Sequence, residues 1–209
     1  MVEQRSERQG VRRAETRMRI TTAANELFMR NGYVETTIEE ISEAADVAVR
    51  TIYLHFGSKA AILLEFHDSW VDAFTDRILD RPFDEPIADT MIAALGEMRD
   101  EGWRDDLSPA DVEGPHPIIE FIGGGHGDIA GHLMQTWVRA QERMAKSFRE
   151  RGNFPEASLE PRIRSCAVFA AWLTTILVFR DVFDGSSTST LSSHQVGTAA
   201  IRAFGAGVR

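Results

Sequence analysis

The chain has 209 residues, which allows one large domain or two small ones, and its 43% hydrophobic content is ordinary for a globular protein. No apolar run reaches the roughly 20 residues of a membrane span, the Arg-rich N-terminus lacks an apolar signal-peptide core, and the single cysteine excludes an internal disulfide. We therefore expect a cytoplasmic protein with no membrane partner, in which Cys166 is a buried, inert thiol.

The formal net charge of -9 is distributed unevenly along the chain. Residues 1–60 contain nine Lys or Arg and nine Asp or Glu, so the remainder carries the whole negative excess. Affinity for DNA depends on the local face presented to phosphate rather than on the total charge. The first sixty residues are therefore compatible with DNA binding, while the acidic remainder would repel DNA and help to orient the molecule.

The N-terminal region predicts a polar arm followed by one long helix. Residues 1–11 are polar, and we expect them to be disordered in the absence of DNA. Apolar residues recur at helical spacing over 12–30, and Asn31-Gly32 supplies a left-handed stop. Arg12 and Arg13, at the start of this helix, could reach phosphates or the minor groove, and a solvated arm is nearly as compatible with the sequence.

The segment from Thr36 to Lys59 is the most informative part of the chain. It predicts two short helices joined by a tight turn, followed by the start of a third helix. Thr36 and Glu39 form a capping-box pattern, so the first of these helices is predicted to begin there. We expect it to end near Ala45-Asp46, because aspartate tolerates turn geometry.

The second of the two short helices has the composition of a helix that enters the major groove of DNA. Its apolar positions are Val47, Ile52 and Phe56. The side chains between them are small, basic or hydroxyl-bearing: Ala48, Val49, Arg50, Thr51 and Tyr53. Small residues allow close approach to the groove, and the polar ones supply donors for bases and phosphates.

Over residues 12–65 the chain resembles the TetR-type transcriptional regulators. The family pattern is Leu-Phe before a glycine, then Thr-Thr-hydrophobe, then a T-hydrophobe-Y-x-H/Y-F-x-S-K run. The matching residues are Leu27, Phe28, Gly32, Thr36, Thr37, Ile38, Thr51, Ile52, Tyr53, His55, Phe56, Ser58 and Lys59. Ala48 stands where many members carry Ser, which removes a possible phosphate contact. Arg50 stands where many carry Gly or Ala, which adds a possible base contact.

The resemblance implies a DNA-contacting surface on this part of the chain. The predicted contact residues are Thr36, Thr37, Ala48, Val49, Arg50, Thr51, Tyr53, His55 and Lys59, with Arg12 and Arg13 beside them. The threonines, Tyr53 and Lys59 are interpreted as phosphate contacts, and Arg50 and Thr51 as base readers. Val49 could touch a thymine methyl group. Two alternatives stay open: the threonines only cap a helix, and His55 only packs.

The remainder of the chain predicts helices and loops. The predicted helices span 58–79, 87–99, 117–122, 128–151, 159–183 and 191–204. The fold class is therefore all-α. We expect a three-helix helix-turn-helix domain at 1–57 and a second helical domain at 58–209, which by the resemblance binds a ligand and forms the dimer. The two last helices are predicted to pair with their symmetry mates as a four-helix bundle.

Large aromatic side chains are concentrated in the C-terminal part of the chain, where each alone could be an ordinary core residue. By the resemblance, they line a cavity for a small apolar or planar effector. The candidate ligand-binding residues are Trp70, Trp103, Phe121, His132, Trp137, Phe148, Phe169 and Trp172. We predict no metal and no cofactor, because the histidine spacing and the triple glycine at 123–125 lack the accompanying residues that such sites need.

The sequence as a whole predicts a ligand-responsive repressor rather than an enzyme. It would bind a palindromic, double-stranded DNA operator as a homodimer, and the helix beginning at Ser58 would act as the lever between domains. One alternative is a DNA-binding protein without a small-molecule inducer, acting with a protein partner. A filled, dry C-terminal core would favour this alternative. The other is an enzyme or carrier that uses the aromatic cavity; absence of DNA binding at low salt favours that one.

Overall fold

The computed structural model describes residues 2–103, 126–183 and 193–207. All regular secondary structure in these ranges is helical, which confirms the all-α prediction. The helices are α1 (Val2–Asn31), α2 (Ile38–Ala44), α3 (Val49–His55), α4 (Lys59–Leu63), α5 (Glu65–Asp80), α6 (Ile87–Asp100), α7 (Gly127–Arg151), α8 (Glu160–Phe183) and α9 (Ser193–Gly207). The chain divides into two compact units, Met1–His67 and Asp68–Arg209, called the first and second unit below.

Helix α1 is longer than its sequence predicts. It begins at Val2, so the expectation that residues 1–11 form a disordered arm is wrong for the described residues of that segment. The helix ends as predicted, with Gly32 at φ 84 and its N–H donating to the Phe28 carbonyl at 2.9 Å. Ile20 and Ala24, on the predicted apolar stripe, have no exposed surface and anchor α1 in the first unit.

Helices α2 and α3 form the predicted helix-turn-helix, but the capping box lies one residue later than expected. Thr37 and Glu40 make it, rather than Thr36 and Glu39: the Glu40 N–H donates to the Thr37 hydroxyl, and the Thr37 N–H donates to the Glu40 carboxylate. The turn after α2 places Asp46 at φ 50, which fits the predicted helix end.

The predicted continuous helix over 58–79 is wrong, because the structure contains two helices there. The Ser58 hydroxyl caps α4 by accepting a hydrogen bond from the Ala61 N–H. The chain leaves helical geometry at Leu64, and α5 begins at the next residue. Leu64, at the break, is buried, whereas Phe66 is 41% exposed.

The second unit is built around α8, which packs against α7 and α9, while α6 packs against α9. Helix α7 has one apolar face, whose six residues are all buried: Ile129, Leu133, Trp137, Ala140, Met144 and Phe148. Helices α6 and α9 approach closely at Gly205, where a Cβ atom would lie 2.7 Å from that of Ala88. The helix predicted at 117–122 falls outside the described residues.

Helix α8 is apolar on most of its sides, as predicted, and this gives it two unexpected properties. Glu160–Val178 is long enough and apolar enough, with a mean hydropathy of 1.2, to meet the criteria of a membrane span, although core helices of soluble proteins meet them as well. Cys166 is exposed, so the prediction of a buried thiol is wrong. The cysteine shares its side of the helix with the exposed Ile163, whereas Ser165 and Val168 face the interior.

Candidate DNA-binding surface and ligand pocket

The orientation of α3 is fixed by two apolar anchors. Ile52 is fully buried and Phe56, the residue that ends the helix, is 2% exposed. The opposite side of the helix consequently faces away from the core. Arg50 lies there in the open, together with Tyr53, which is 55% exposed. Two of the predicted DNA contacts thus belong to one accessible surface.

The remaining α3 candidates differ in accessibility. Ala48, at the N-cap, is exposed, whereas Val49 and Thr51 are half-buried. Leu54 is 67% exposed and was not among the predicted contacts. The helical repeat could have identified it, because Leu54 lies four residues after Arg50 and hence on the same side of the helix.

Lys59 is engaged inside the first unit. Its ammonium group donates to the carbonyls of Tyr33 (2.7 Å), Thr36 (2.9 Å) and Val34 (3.3 Å), and it lies 4.3 Å from the centre of the Tyr33 ring. An ammonium group has three donors, and these three carbonyls use all of them. Lys59 therefore ties the turn between α1 and α2 to the start of α4, and it has no donor left for a phosphate in this geometry.

The two threonines of the motif have different surroundings. Thr36 is fully buried, and its hydroxyl donates to the Gly32 carbonyl at 2.8 Å. Thr37 is exposed and carries the capping box described above. The structure thus gives Thr36 an internal role and leaves only Thr37 of this pair accessible to a phosphate.

Basic side chains of α1 surround His55 at the end of α3. Arg17 donates to the His55 carbonyl at 2.7 Å and to the Glu65 carboxylate, and it stacks on the Phe56 ring at 4.0 Å. Burial, and then the positive charges of Arg13 and Arg17, lower the pKa of His55 below its usual 6.5. The His55 Nδ1 atom is buried without a hydrogen-bond partner in the described chain. Arg12 and Arg13 are exposed on α1.

A pocket of about 220 Å³ lies between α7 and α8 in the second unit. It is lined by Ala130, Leu133, Met134, Trp137, Phe169, Trp172 and Leu173. The three aromatic rings form one cluster, in which the Trp137 ring centre lies 4.3 Å from that of Trp172 and 5.5 Å from that of Phe169. Among the described residues no ionisable side chain lines the pocket, so these walls suit an uncharged, apolar ligand.

The other predicted ligand-binding residues that the structure describes do not line this pocket. Trp70 is buried against Phe74, and Phe148 packs on Phe83. The His132 Nε2 atom lies 2.8 Å from an Asp68 carboxylate oxygen. Trp103 follows the end of α6, where its N–H donates to the Met98 carbonyl, and Phe121 is outside the described residues. In the described ranges, no group of three or more His, Cys, Asp or Glu could hold a metal ion.

Comparisons with known proteins place these features in a family. A sequence profile of bacterial regulatory proteins of the tetR family matches residues 20–66. HTH-type transcriptional regulator TcmR of Streptomyces glaucescens is 37% identical over 89 residues, which cover 41% of this chain and 39% of that protein. YdeS of Bacillus subtilis (strain 168), an uncharacterized HTH-type transcriptional regulator, is 33% identical over 139 residues, covering 66% of this chain and 64% of that protein.

The chain thus spans from about two fifths to just under two thirds of the curated relatives it matches. A solved structure adds a likeness over most of the chain. FadR of Thermus thermophilus, a TetR-family transcriptional repressor in complex with lauroyl-CoA, has a TM-score of 0.51 and covers 90% of this chain, with 92% of its own chain covered. At 18% identity this likeness concerns the fold alone. With its helix-turn-helix unit, its helical second unit and these relatives, the chain is similar to the TetR family of bacterial transcription regulators, whose profile it matches over residues 20–66.

Proposed function

We propose that the protein is a repressor that binds a palindromic operator as a dimer and releases it when an uncharged apolar molecule occupies the pocket between α7 and α8. The observation that carries this proposal is the accessible side of α3. Buried Ile52 and Phe56 hold that helix so that Arg50 and Tyr53 face outward. A small helix held in this way can enter the major groove of DNA.

The exposed side chains suggest how the operator is read. Arg50 is free to place its guanidinium against the O6 and N7 atoms of a guanine, which is the commonest specific contact in the major groove. Tyr53 and Thr37 offer hydroxyl groups to phosphates on either side of the groove. In a dimer the two α3 helices would lie one DNA turn apart, roughly 34–36 Å, so the operator would be a palindrome.

Exposed apolar side chains on the last two helices support a dimer. Leu159, directly before α8, is 71% exposed, and Ile163 on the Cys166 side of α8 is 52% exposed. Ala199 and Ala203 of α9 are exposed as well. Together they form a surface of small and branched apolar groups that a second copy of the chain would cover in a self-complementary interface.

The pocket suggests the class of effector. The described walls contain three aromatic rings and no ionisable side chain, which favours a compact, uncharged molecule with a planar or branched apolar body. The lauroyl-CoA bound by the Thermus repressor carries a long acyl chain and a charged nucleotide. The described walls of this pocket contain no cation to match that charge, so we propose a smaller ligand of another class.

Helix α5 offers a route for coupling the pocket to DNA binding. Near its start, Glu65 accepts hydrogen bonds from Arg17 and Thr21 of α1. One turn later Asp68 accepts a hydrogen bond from Thr136 of α7 at 2.8 Å and lies equally close to His132. Thr136 precedes the pocket residue Trp137, so we propose that a ligand-induced shift of α7 acts on α5 through Asp68.

Selection of genomic DNA fragments with the purified protein tests the first half of the proposal. We expect one palindromic motif to be enriched at low salt. A library of small molecules is then screened for compounds that raise the melting temperature of the free protein, since a ligand of the folded state stabilises it. An effector must also weaken operator binding by the same factor by which the operator weakens ligand binding.

Variants of the central pocket tryptophan provide the control for the screen. Trp137→Ala should abolish the thermal shift while leaving operator affinity near that of the parent. Trp137→Phe keeps an aromatic wall and removes an indole N–H that is buried without a hydrogen-bond partner in the described chain, so it should retain ligand binding. A protein that selects no DNA motif would contradict the proposal, and a ligand that leaves operator affinity unchanged would remove the pocket from regulation.

A further inference from the structure

Leu54 is an exposed apolar side chain on a rigid element. It is 67% exposed, and its position in α3 is fixed because Ile52 and Phe56 on either side of it are buried. At this exposure Leu54 contributes little to the packing of the first unit. Its apolar surface is therefore available to whatever covers this side of α3.

We propose that Leu54 reads a thymine in each operator half-site by covering the C5 methyl group, beside a base contacted by Arg50. This inference rests on the proposed function, because it takes α3 as the helix that enters the major groove. It names a specificity-determining residue that the sequence pattern alone left unassigned.

The chemistry of the major groove favours a thymine. Base edges there present hydrogen-bond donors and acceptors, and the thymine methyl is the one apolar group among them. A leucine has neither donor nor acceptor, so its favourable partner in the groove is the apolar methyl group of thymine. Arg50 lies on the same side of α3 and has no hydrogen-bond or ion-pair partner within the described residues, which gives this surface a cation suited to DNA rather than to an apolar protein partner.

The spacing of the two side chains predicts the spacing of the two bases. Arg50 and Leu54 are four residues apart, which corresponds to about 6 Å along a helix. Base pairs are stacked about 3.4 Å apart. For a helix that follows the groove, the thymine is therefore expected about two base pairs from the base read by Arg50.

Val49 is the competing candidate for the same contact. It is the first residue of α3, and it is also a branched apolar side chain. Val49 is half-buried, however, whereas Leu54 is exposed. The geometry therefore assigns the larger accessible apolar surface to Leu54, and Val49→Ala becomes the matched control.

The test uses the operator obtained by DNA selection and replaces each thymine in turn with deoxyuridine, which removes the C5 methyl and keeps the base pair. In the parent, one thymine position per half-site should lose about fourfold in affinity, the value of one buried methyl-sized group. Leu54→Ala should bind the unmodified operator more weakly and should show no further loss at that position. Leu54→Met, which keeps an apolar contact, should retain part of the sensitivity, and Val49→Ala should retain all of it.

The outcomes separate this inference from the function on which it rests. If no DNA motif is selected, the proposed function and the role of Leu54 fail together. If the parent binds a specific motif but tolerates deoxyuridine at every thymine, or if Leu54→Ala keeps the sensitivity of the parent, the role of Leu54 alone is overturned. Loss of sensitivity in Val49→Ala would reassign the contact to Val49. Melting temperatures of the Leu54 variants should match the parent to within a few degrees, because substitutions at accessible positions have small effects.

Discussion

The two units of this protein use their characteristic residues in opposite ways. In the first unit, most residues of the family pattern make contacts within the unit itself: Thr36 is buried, Phe56 anchors α3 and Lys59 binds three carbonyls. In the second unit, the aromatic residues around Trp137 border an open pocket. The shared pattern therefore explains how the first unit is held together, whereas Arg50 and Trp137, proposed to contact operator and ligand, lie outside that pattern.

The largest effect is expected from separating the two copies of the second unit in the proposed dimer. Ala199→Glu would bury an unpaired carboxylate in each half of the proposed dimer interface, at a cost of roughly 3–5 kcal/mol per copy. Light scattering should then report a monomer, and operator binding should collapse although the first unit is unchanged. Ala157→Glu, the same substitution at an exposed alanine before α8, is the control and should stay dimeric. A parent protein that is monomeric at micromolar concentration contradicts the interface.

The internal use of the motif is tested most directly at Lys59. Lys59→Met removes three charge-assisted hydrogen bonds and should lower the stability of the first unit by roughly 1.5–3 kcal/mol. Operator affinity should fall for all sequences alike, while the dependence of log K on log salt concentration keeps its slope. By contrast, Arg12→Ala should reduce that slope by about one, as expected for a side chain that contacts phosphate. A reduced slope in Lys59→Met would return Lys59 to the phosphate-contacting set.

These contrasts show what the sequence can and cannot determine. Helical periodicity was sufficient for α6 and α7, because their apolar faces are long and regular. It could not choose between two capping boxes, since Thr36 with Glu39 and Thr37 with Glu40 have the same spacing. The choice depends on tertiary contacts: the Thr36 hydroxyl binds the Gly32 carbonyl, and its own carbonyl binds Lys59.

Contacts between distant residues account for the other differences. No proline or glycine interrupts the chain between Ser58 and Asp80, so the break at Leu64 comes from packing rather than from a local signal. On α8, apolar residues occupy most sides of the helix, and the sequence therefore could not indicate that Cys166 is exposed. Of the seven predicted ligand-binding residues that the structure describes, Trp137, Phe169 and Trp172 line one pocket and the other four do not, because aromatic content does not specify which rings share a cavity.

The contacts of α5 with α7 allow two aspartates of α5 to be compared within the second unit. Asp68 holds Thr136 and His132 close to the pocket, whereas Asp76 of the same helix pairs with the more exposed Arg143. The factor by which the effector weakens operator binding corresponds to a coupling free energy. Asp68→Asn should change this free energy by about 0.5–2 kcal/mol. Asp76→Asn should leave that factor unchanged, because exposed ion pairs contribute little. Equal coupling in both variants would exclude Asp68 from the route.

The smallest expected effect concerns His55 and the acid side of neutral pH. Burial and the charges of Arg13 and Arg17 lower the pKa of His55, so below pH 6.5 the unfolded chain binds more protons at this residue than the folded chain. The contribution of His55 to stability should therefore be constant above about pH 6.5 and should fall as the pH drops towards the lowered pKa. Comparing the melting temperatures of the parent and His55→Gln between pH 7.5 and 6.0 isolates this contribution from those of the other histidines.

The same pair of proteins decides between the two roles left open for His55. A neutral imidazole that packs beside Phe56 should give parent and His55→Gln the same pH dependence of operator affinity, and the buried, unpartnered Nδ1 atom favours this result. A phosphate bound to the ring would raise its pKa, so the parent alone would bind the operator more tightly as the pH falls. That second result would add His55 to the motif residues of the first unit that are proposed to face DNA, and would weaken the contrast between a motif used internally and a separate set of operator-reading residues.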